Sequence, residues 1–136
     1  MARTVQVAID CADPAALSRF WAEALGYVLQ PPPEGHDSWE SWLSAMGVPE
    51  SQWNSASAVI DPDGAGPRVY FQRVPEEKAT KNRLHLDIRV RGGREAIQPE
   101  VDRLVALGAT VVGPKEERGE YWVVLQDPEG NEFCLT

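Results

Sequence analysis

Two stretches of this chain alternate strictly between apolar and polar residues. In the first, Val5, Val7 and Ile9 point one way and Gln6, Ala8 and Asp10 the other. In the second, Leu84, Leu86, Ile88 and Val90 oppose His85, Asp87 and Arg89. A period of two predicts strands with one buried face. Each run gives way to a helical period. Leu17, Phe20, Trp21, Ala24 and Leu25 recur at helical spacing after Asp13-Pro14, which supplies a capping carboxylate and a proline at the first helical position. Gly26 suits the left-handed position that ends a helix. In the second half, Val101, Leu104, Val105 and Leu107 form the stripe and Gly108 ends it. Pro99 is awkward there: either the helix starts near Gln98, or Pro99 lies in its first turn or kinks it.

Later in each half comes a matching turn, Asp61-Pro62-Asp63-Gly64 and Asp127-Pro128-Glu129-Gly130, followed by strand-like sequence, "RVYFQRV" and "NEFCLT". Proline presets φ at the second turn position and glycine accepts positive φ. The chain therefore reads as a single α+β domain, 1–136, of two tandem β-α-β-β-β modules, 1–76 and 82–136. The first module carries an insertion over 30–54. It opens with three prolines, and Ser38–Met46 is expected to form a short helix with Trp39, Trp42 and Leu43 on one side. Insertions of this length tend to lie over clefts.

Composition narrows the function. The 136 residues have a formal net charge of −8. That disfavours a nucleic acid or an anionic membrane surface as partner, since both need a basic face. No apolar run approaches the roughly 20 residues of a membrane span, and the N-terminus does not read as a signal peptide. Two cysteines, Cys11 and Cys134, give no disulfide framework, which suits buried thiols in a reducing cytoplasm. Phosphate-cradling, dinucleotide-binding and nucleophile-elbow motifs are absent from the sequence.

The twofold repeat, "ADPAALSRFWAEALGY", "GPRVYFQRVPEEKATKNRLHLDIRV" and the terminal "DPEGNEFCLT" resemble the vicinal oxygen chelate superfamily, the glyoxalase/bleomycin-resistance/dioxygenase proteins. The segment "YFQRVPEEKATKNRLHLDI" is similar to a glyoxalase-like subgroup. The resemblance implies that each module curls a mixed sheet around a concave cleft, and that the chain pairs as a homodimer. It also implies that any metal ligands come from the first and last strands of each module. On this chain those positions fall on Gln6, on Tyr70 or Gln72, on His85, and on Cys134, with Glu132 two residues earlier. Metal sites of this kind want three or four good ligands. Tyr70 and Gln72 are poor ones, Cys134 is soft, and His36 lies in the insertion. No metal or other cofactor is therefore expected, although a divalent ion stays possible.

What remains is aromatic. There are five tryptophans, of which Trp21 is best explained as helix core. Trp39, Trp42, Trp53, Tyr70 and Trp122 offer flat surface with polar edges, and of Tyr121 and Trp122 one must face inward. The expected ligand-binding set is Gln6, Trp39, Trp42, Tyr70, Gln72, His85, Asp87, Trp122 and Cys134. The resemblance suggests a protein that holds a small aromatic or polycyclic organic molecule, as resistance proteins of the sequestering type do. One alternative is a metal-dependent lyase, isomerase or dioxygenase with Gln6 and His85 as ligands. The other is a metal-free enzyme with His85 as base beside Asp87. Lys78, Lys81 and Arg83 read either as a solvated linker or as an anion-holding group.

Overall fold

The computed structural model describes residues 1–136, which divide into two compact units, Met1–Glu77 and Lys78–Thr136. Each unit holds one four-stranded mixed sheet with a helix packed on one face. No helix is long and apolar enough to cross a membrane.

In the first unit the order of elements is β1 (Val7–Cys11), α1 (Pro14–Leu25), β2 (Val28–Leu29), α2 (Trp39–Ala45), a 3-10 helix (Glu50–Ser55), β3 (Ala56–Ile60) and β4 (Val69–Arg73). The sheet runs β1-β4-β3-β2, with β1 parallel to β4 and the other pairs antiparallel. Its helix-facing side is built from Val59, Val69 and Phe71, all fully buried, against Leu17, Phe20 and Trp21 of α1. Asp13 caps α1 by accepting from the Ala16 N–H (3.1 Å), and Gly26 closes it at φ 69°. Both ends were legible. Within this core Ser57 donates to Ser18 (2.8 Å), which donates to the Ala15 carbonyl (3.1 Å), so the buried hydroxyls are satisfied.

The insertion forms the expected helix, capped by Ser38, which accepts from the Ser41 N–H (3.1 Å). Its far end is anchored to α1. Asn54 accepts from the Ala15 N–H (2.9 Å) and donates to Asp13 (2.8 Å).

The second unit runs β5 (Asp87–Ile88), α3 (Arg94–Ala106), β6 (Thr110–Glu117), β7 (Glu120–Gln126) and β8 (Glu132–Leu135), in sheet order β5-β8-β7-β6. Here β5 is parallel to β8 and the rest is antiparallel. Val123, Leu125, Phe133 and Leu135 are buried on the side that carries α3. The strand expected over Leu84–Val90 is shorter than its alternation suggests. Backbone pairing starts at Leu86, which accepts from Cys134, and ends at Val90, which donates to Thr136. Leu84 lies outside it and is 91% exposed, and two residues earlier the Asn82 N–H donates to the side chain of Glu132.

Helix α3 begins at Arg94, four residues before Gln98, and continues through Pro99. The proline removes a single backbone donor, and the stripe that packs is Ile97, Val101 and Leu104, at i, i+4 and i+7. Val105 and Leu107, expected in that stripe, are exposed, since both sit past the edge of this face as the helix ends. The two Asp-Pro turns share one device. Asp61 accepts from the backbone of Asp63, Ala65 and Gly66, and Asp127 from that of Glu129 and Asn131.

The Asn54–Asp13 link yields a test. The Asn54 amide and the Ala16 N–H hold the Asp13 carboxyl below the usual carboxylate range. A depressed carboxyl contributes stability above its unfolded pKa and loses it as pH falls through the folded value. Asn54→Ala is expected to cost about 1 kcal/mol at neutral pH, with a smaller deficit below about pH 3, as read by denaturant melts at both values. An equal deficit at both would contradict the charge-assisted part of the link.

Candidate functional site on the second sheet

Pleating settles which side chains share the open face of the second sheet. Asp87 pairs with Cys134 across β5 and β8, Cys134 pairs with Val124 across β8 and β7, and Trp122 pairs with Lys115 across β7 and β6. Directly opposed residues project to the same side. His85, Asp87, Cys134, Glu132, Trp122, Val124, Glu120 and Lys115 therefore stand together, while the alternate residues serve the helix side. Together with Lys81, Glu117 and Thr136 they line a hollow of about 550 Å³. A second hollow of about 500 Å³ shares Asp87, Glu120, Trp122 and Thr136 with it and adds Arg89, Val90 and Tyr121.

The strongest polar feature is a carboxylate between two donors. His85 Nδ1 lies 2.9 Å from Asp87 Oδ1. Residues two apart on a flat strand are separated by about 7 Å, so the two side chains lean together here. An ionised carboxylate only accepts, so Nδ1 is the donor of this contact, and whenever the ring is neutral Nε2 is its acceptor. On its other side Asp87 meets Cys134. That thiol is 7% exposed; burial, followed by the charge of Asp87 and a hydrogen bond to it, pushes its pKa up to about 11. It is therefore a protonated thiol at neutral pH. One donor atom each from His85, Asp87 and Cys134 lie within 4.8 Å of one another.

Glu132 is engaged elsewhere. It accepts from Lys78 (3.2 Å) and from the Asn82 N–H (2.9 Å), while Lys78 also donates to the Thr80 carbonyl. Burial works to raise its carboxyl, but the Asn82 and Lys78 hydrogen bonds outweigh that and hold it below the ordinary value. Lys78 is thus a structural clasp in the segment that offered either a linker or an anion site, and Lys81 lines the hollow.

The remaining candidates lie in the first unit. Tyr70 and Gln72 share the face of β4 opposite α1, level with Ala8 and Asp10 of β1. Gln6 precedes β1, and its amide oxygen accepts from Arg68 Nη1 (2.7 Å). The Arg68 guanidinium also stands over Tyr70, 5.4 Å from the ring centre. Trp39 and Trp42 meet edge to face at 5.8 Å, and the Trp39 indole donates to the Gln30 carbonyl (2.8 Å). They form a local aromatic pair on the insertion. Of the Tyr121–Trp122 pair it is Trp122 that faces the hollow; Tyr121 lies 4.0 Å beneath the Arg94 guanidinium of α3. The lining residues Lys115, Glu117, Glu120 and Val124 were not singled out. Glu120 and Val124 share the parity of Trp122 and were legible. Lys115 was not, because a bulge between Val111 and Gly113 shifts the β6–β7 register.

This architecture recurs in known proteins. A glyoxalase/bleomycin resistance protein/dioxygenase family enzyme from Burkholderia phytofirmans PsJN is 20% identical, with a TM-score of 0.67 over 96% of this chain and 94% of that one. A possible glyoxalase from Bacillus cereus is 16% identical, with a TM-score of 0.67 over 100% and 99%. A genomically encoded fosfomycin resistance protein from Listeria monocytogenes, complexed with Mn(II) and 1S,2S-dihydroxypropylphosphonic acid, is 12% identical, with a TM-score of 0.67 over 99% and 89%. No curated protein matches the chain significantly. These solved structures share the fold of this chain. A family model described as "Glyoxalase-like domain" matches residues 6–136, and the chain belongs to that family.

The donor chemistry of the second sheet does not fit an oxygen-preferring ion such as manganese. Such ions favour carboxylate, carbonyl and water ligands. Here Cys134 holds the C-terminal strand position, and the nearby carboxylate of Glu132 is bound to Lys78 and Asn82.

Glu132→Ala is expected to cost about 1–3 kcal/mol and to speed hydrogen exchange at the Asn82 amide. Unchanged exchange there would show that Glu132 does not organise the segment.

Proposed function

We propose that the protein binds a small, planar organic molecule on the open face of the second sheet. The observation that carries this is the placing of Trp122 and Val124 between the His85–Asp87 pair and an acid-rich rim. Trp122 and Val124 give the hollow an apolar floor within a lining that is otherwise mostly polar and charged, so stacking supplies the contact area and the polar groups set orientation. A flat ring on Trp122 gains contact area and the preferred offset or edge geometry of aromatic pairs. His85 Nε2 supplies one orienting acceptor. With Glu132 paired to Lys78, the lining sets Asp87, Glu117 and Glu120 against Lys81 and Lys115, so a ligand with a basic nitrogen is favoured over an anionic one. A second copy of the chain is the partner we infer alongside the ligand.

The His85–Asp87 contact favours a second reading. A carboxylate that fixes the tautomer of an imidazole leaves Nε2 ready to take a proton from a carbon next to a carbonyl. The cavity would then turn its ligand over instead of only holding it.

Two measurements separate these readings. In a panel of planar aromatic dyes, cationic acridines are expected to quench tryptophan emission more strongly than anionic anthraquinone sulfonates. Trp122→Leu should weaken binding about tenfold, or about 1.4 kcal/mol. No quenching by any dye, or equal affinity in Trp122→Leu, would overturn the binding proposal. His85→Ala should leave binding within a few-fold if the protein only sequesters its ligand. If His85 is a base, the same variant should abolish solvent deuterium incorporation at an acidic carbon of a carbonyl ligand.

A further inference from the structure

We propose that the open face of the first sheet holds a site for an organic monocarboxylate, with the Arg68 guanidinium as its anion-binding group. The site lies wholly within the first unit and does not rest on the reading of the second sheet.

Arg68 is a cation tied down by neutral oxygens. Its Nε donates to Gln30 Oε1 and its Nη1 to Gln6 Oε1, both at 2.7 Å. A guanidinium can only donate, so both amides turn their oxygens toward it. The Tyr70 ring lies 5.4 Å from the guanidinium carbon and confines the group from a third side. Gln30 is itself fixed. Its N–H donates to the Ala58 carbonyl (2.9 Å), and its own carbonyl accepts from the Trp39 indole (2.8 Å). These contacts orient the cation without neutralising it.

No carboxylate of the chain answers that charge. Arg68 belongs to none of the ion pairs. The Asp61 carboxylate is turned to the backbone of Asp63, Ala65 and Gly66. Asp10 shares the face of Gln6 but lies two pleats further along, about 13 Å away. An arginine has five N–H groups. The two bonds to glutamine leave three of them, both on Nη2 included, with no acceptor in the protein. The side chain is half-buried, so an anion reaching it is partly shielded from water. The planar fork matches the two oxygens of a carboxylate.

The surroundings select the kind of anion. Ala58 and Ile60 of β3 and Val28 of β2 stand on the same face and offer apolar contact. There is little other positive charge: residues 1–77 hold four arginines and no lysine against eleven Asp and Glu. An inorganic dianion meets repulsion across the unit and gains from one cation alone. A monocarboxylate on an apolar body carries less charge and adds burial against Val28 and Ile60.

The probe is 2-naphthoate, with 2-naphthylmethanol as its uncharged counterpart. The full chain, labelled with ¹⁵N at arginine, is titrated with each. Naphthoate should move the Arg68 Nε–H resonance along a saturable one-to-one curve, and the alcohol and inorganic sulfate should each bind at least about tenfold more weakly. Arg68→Lys keeps the charge but loses the fork, and should weaken naphthoate binding about tenfold by calorimetry. Gln6→Glu is the sharper variant. It changes an exposed side chain and gives the guanidinium a carboxylate of its own, so binding should vanish while the thermal midpoint holds or rises. Trp122→Leu should leave naphthoate binding unchanged, which separates this site from the one on the second sheet. No saturable shift in the native chain, equal affinity for the alcohol or sulfate, full binding in Gln6→Glu, or loss of binding in Trp122→Leu would overturn the assignment.

Discussion

The register between two parallel strands governs the chemistry of this molecule. Strand β5 has only two residues in regular pairing, yet it is held by backbone bonds from Cys134 to Leu86, from Thr136 to Ile88 and from Val90 to Thr136. That ladder sets Asp87 opposite Cys134 and turns Ile88 and Leu135 toward the helix. A slip of one residue would send the carboxylate into the core and the isoleucine into the hollow. Burial of Leu135, Phe133 and Leu125 makes that slip costly, since each large side chain contributes about 1.5–3 kcal/mol. The apolar face thus secures the polar one.

The same backbone design appears twice with different contents. In the first module β1 and β4 pair in parallel, and Ala8 and Asp10 stand level with Tyr70 and Gln72. Gln6 and Tyr70 are both engaged by Arg68. The second module keeps the sheet order and the Asp-Pro turn but carries imidazole, carboxylate, thiol and indole on the corresponding face. Duplication supplies a scaffold, and the side chains at the outward parity decide what each copy can do.

Much of this was legible in the residues. The alternation around His85 put His85 and Asp87 on one face, where both line the same hollow, and Asp13, Pro14 and Gly26 marked both ends of α1. The juxtaposition of Asp87 with Cys134 was not legible, because the two are 47 positions apart and only strand register makes them neighbours. Nor could sequence show that Glu132 is bound by Lys78 and Asn82, since the Lys78 segment carries the composition of a solvated linker. Pro99 misled in the opposite sense. One missing hydrogen bond costs less than the packing of Ile97, Val101 and Leu104 returns, so the helix runs through it.

The central claim is that the outward parity of β5, β7 and β8 is the binding face. Backbone and indole NMR shifts during titration with a cationic acridine test it most directly. The account predicts perturbations at Glu120, the Trp122 indole, Val124, Cys134 and His85, with Tyr121, Val123 and Leu125 little changed. Shifts confined to the Trp39–Trp42 pair, or spread without regard to parity, would contradict it.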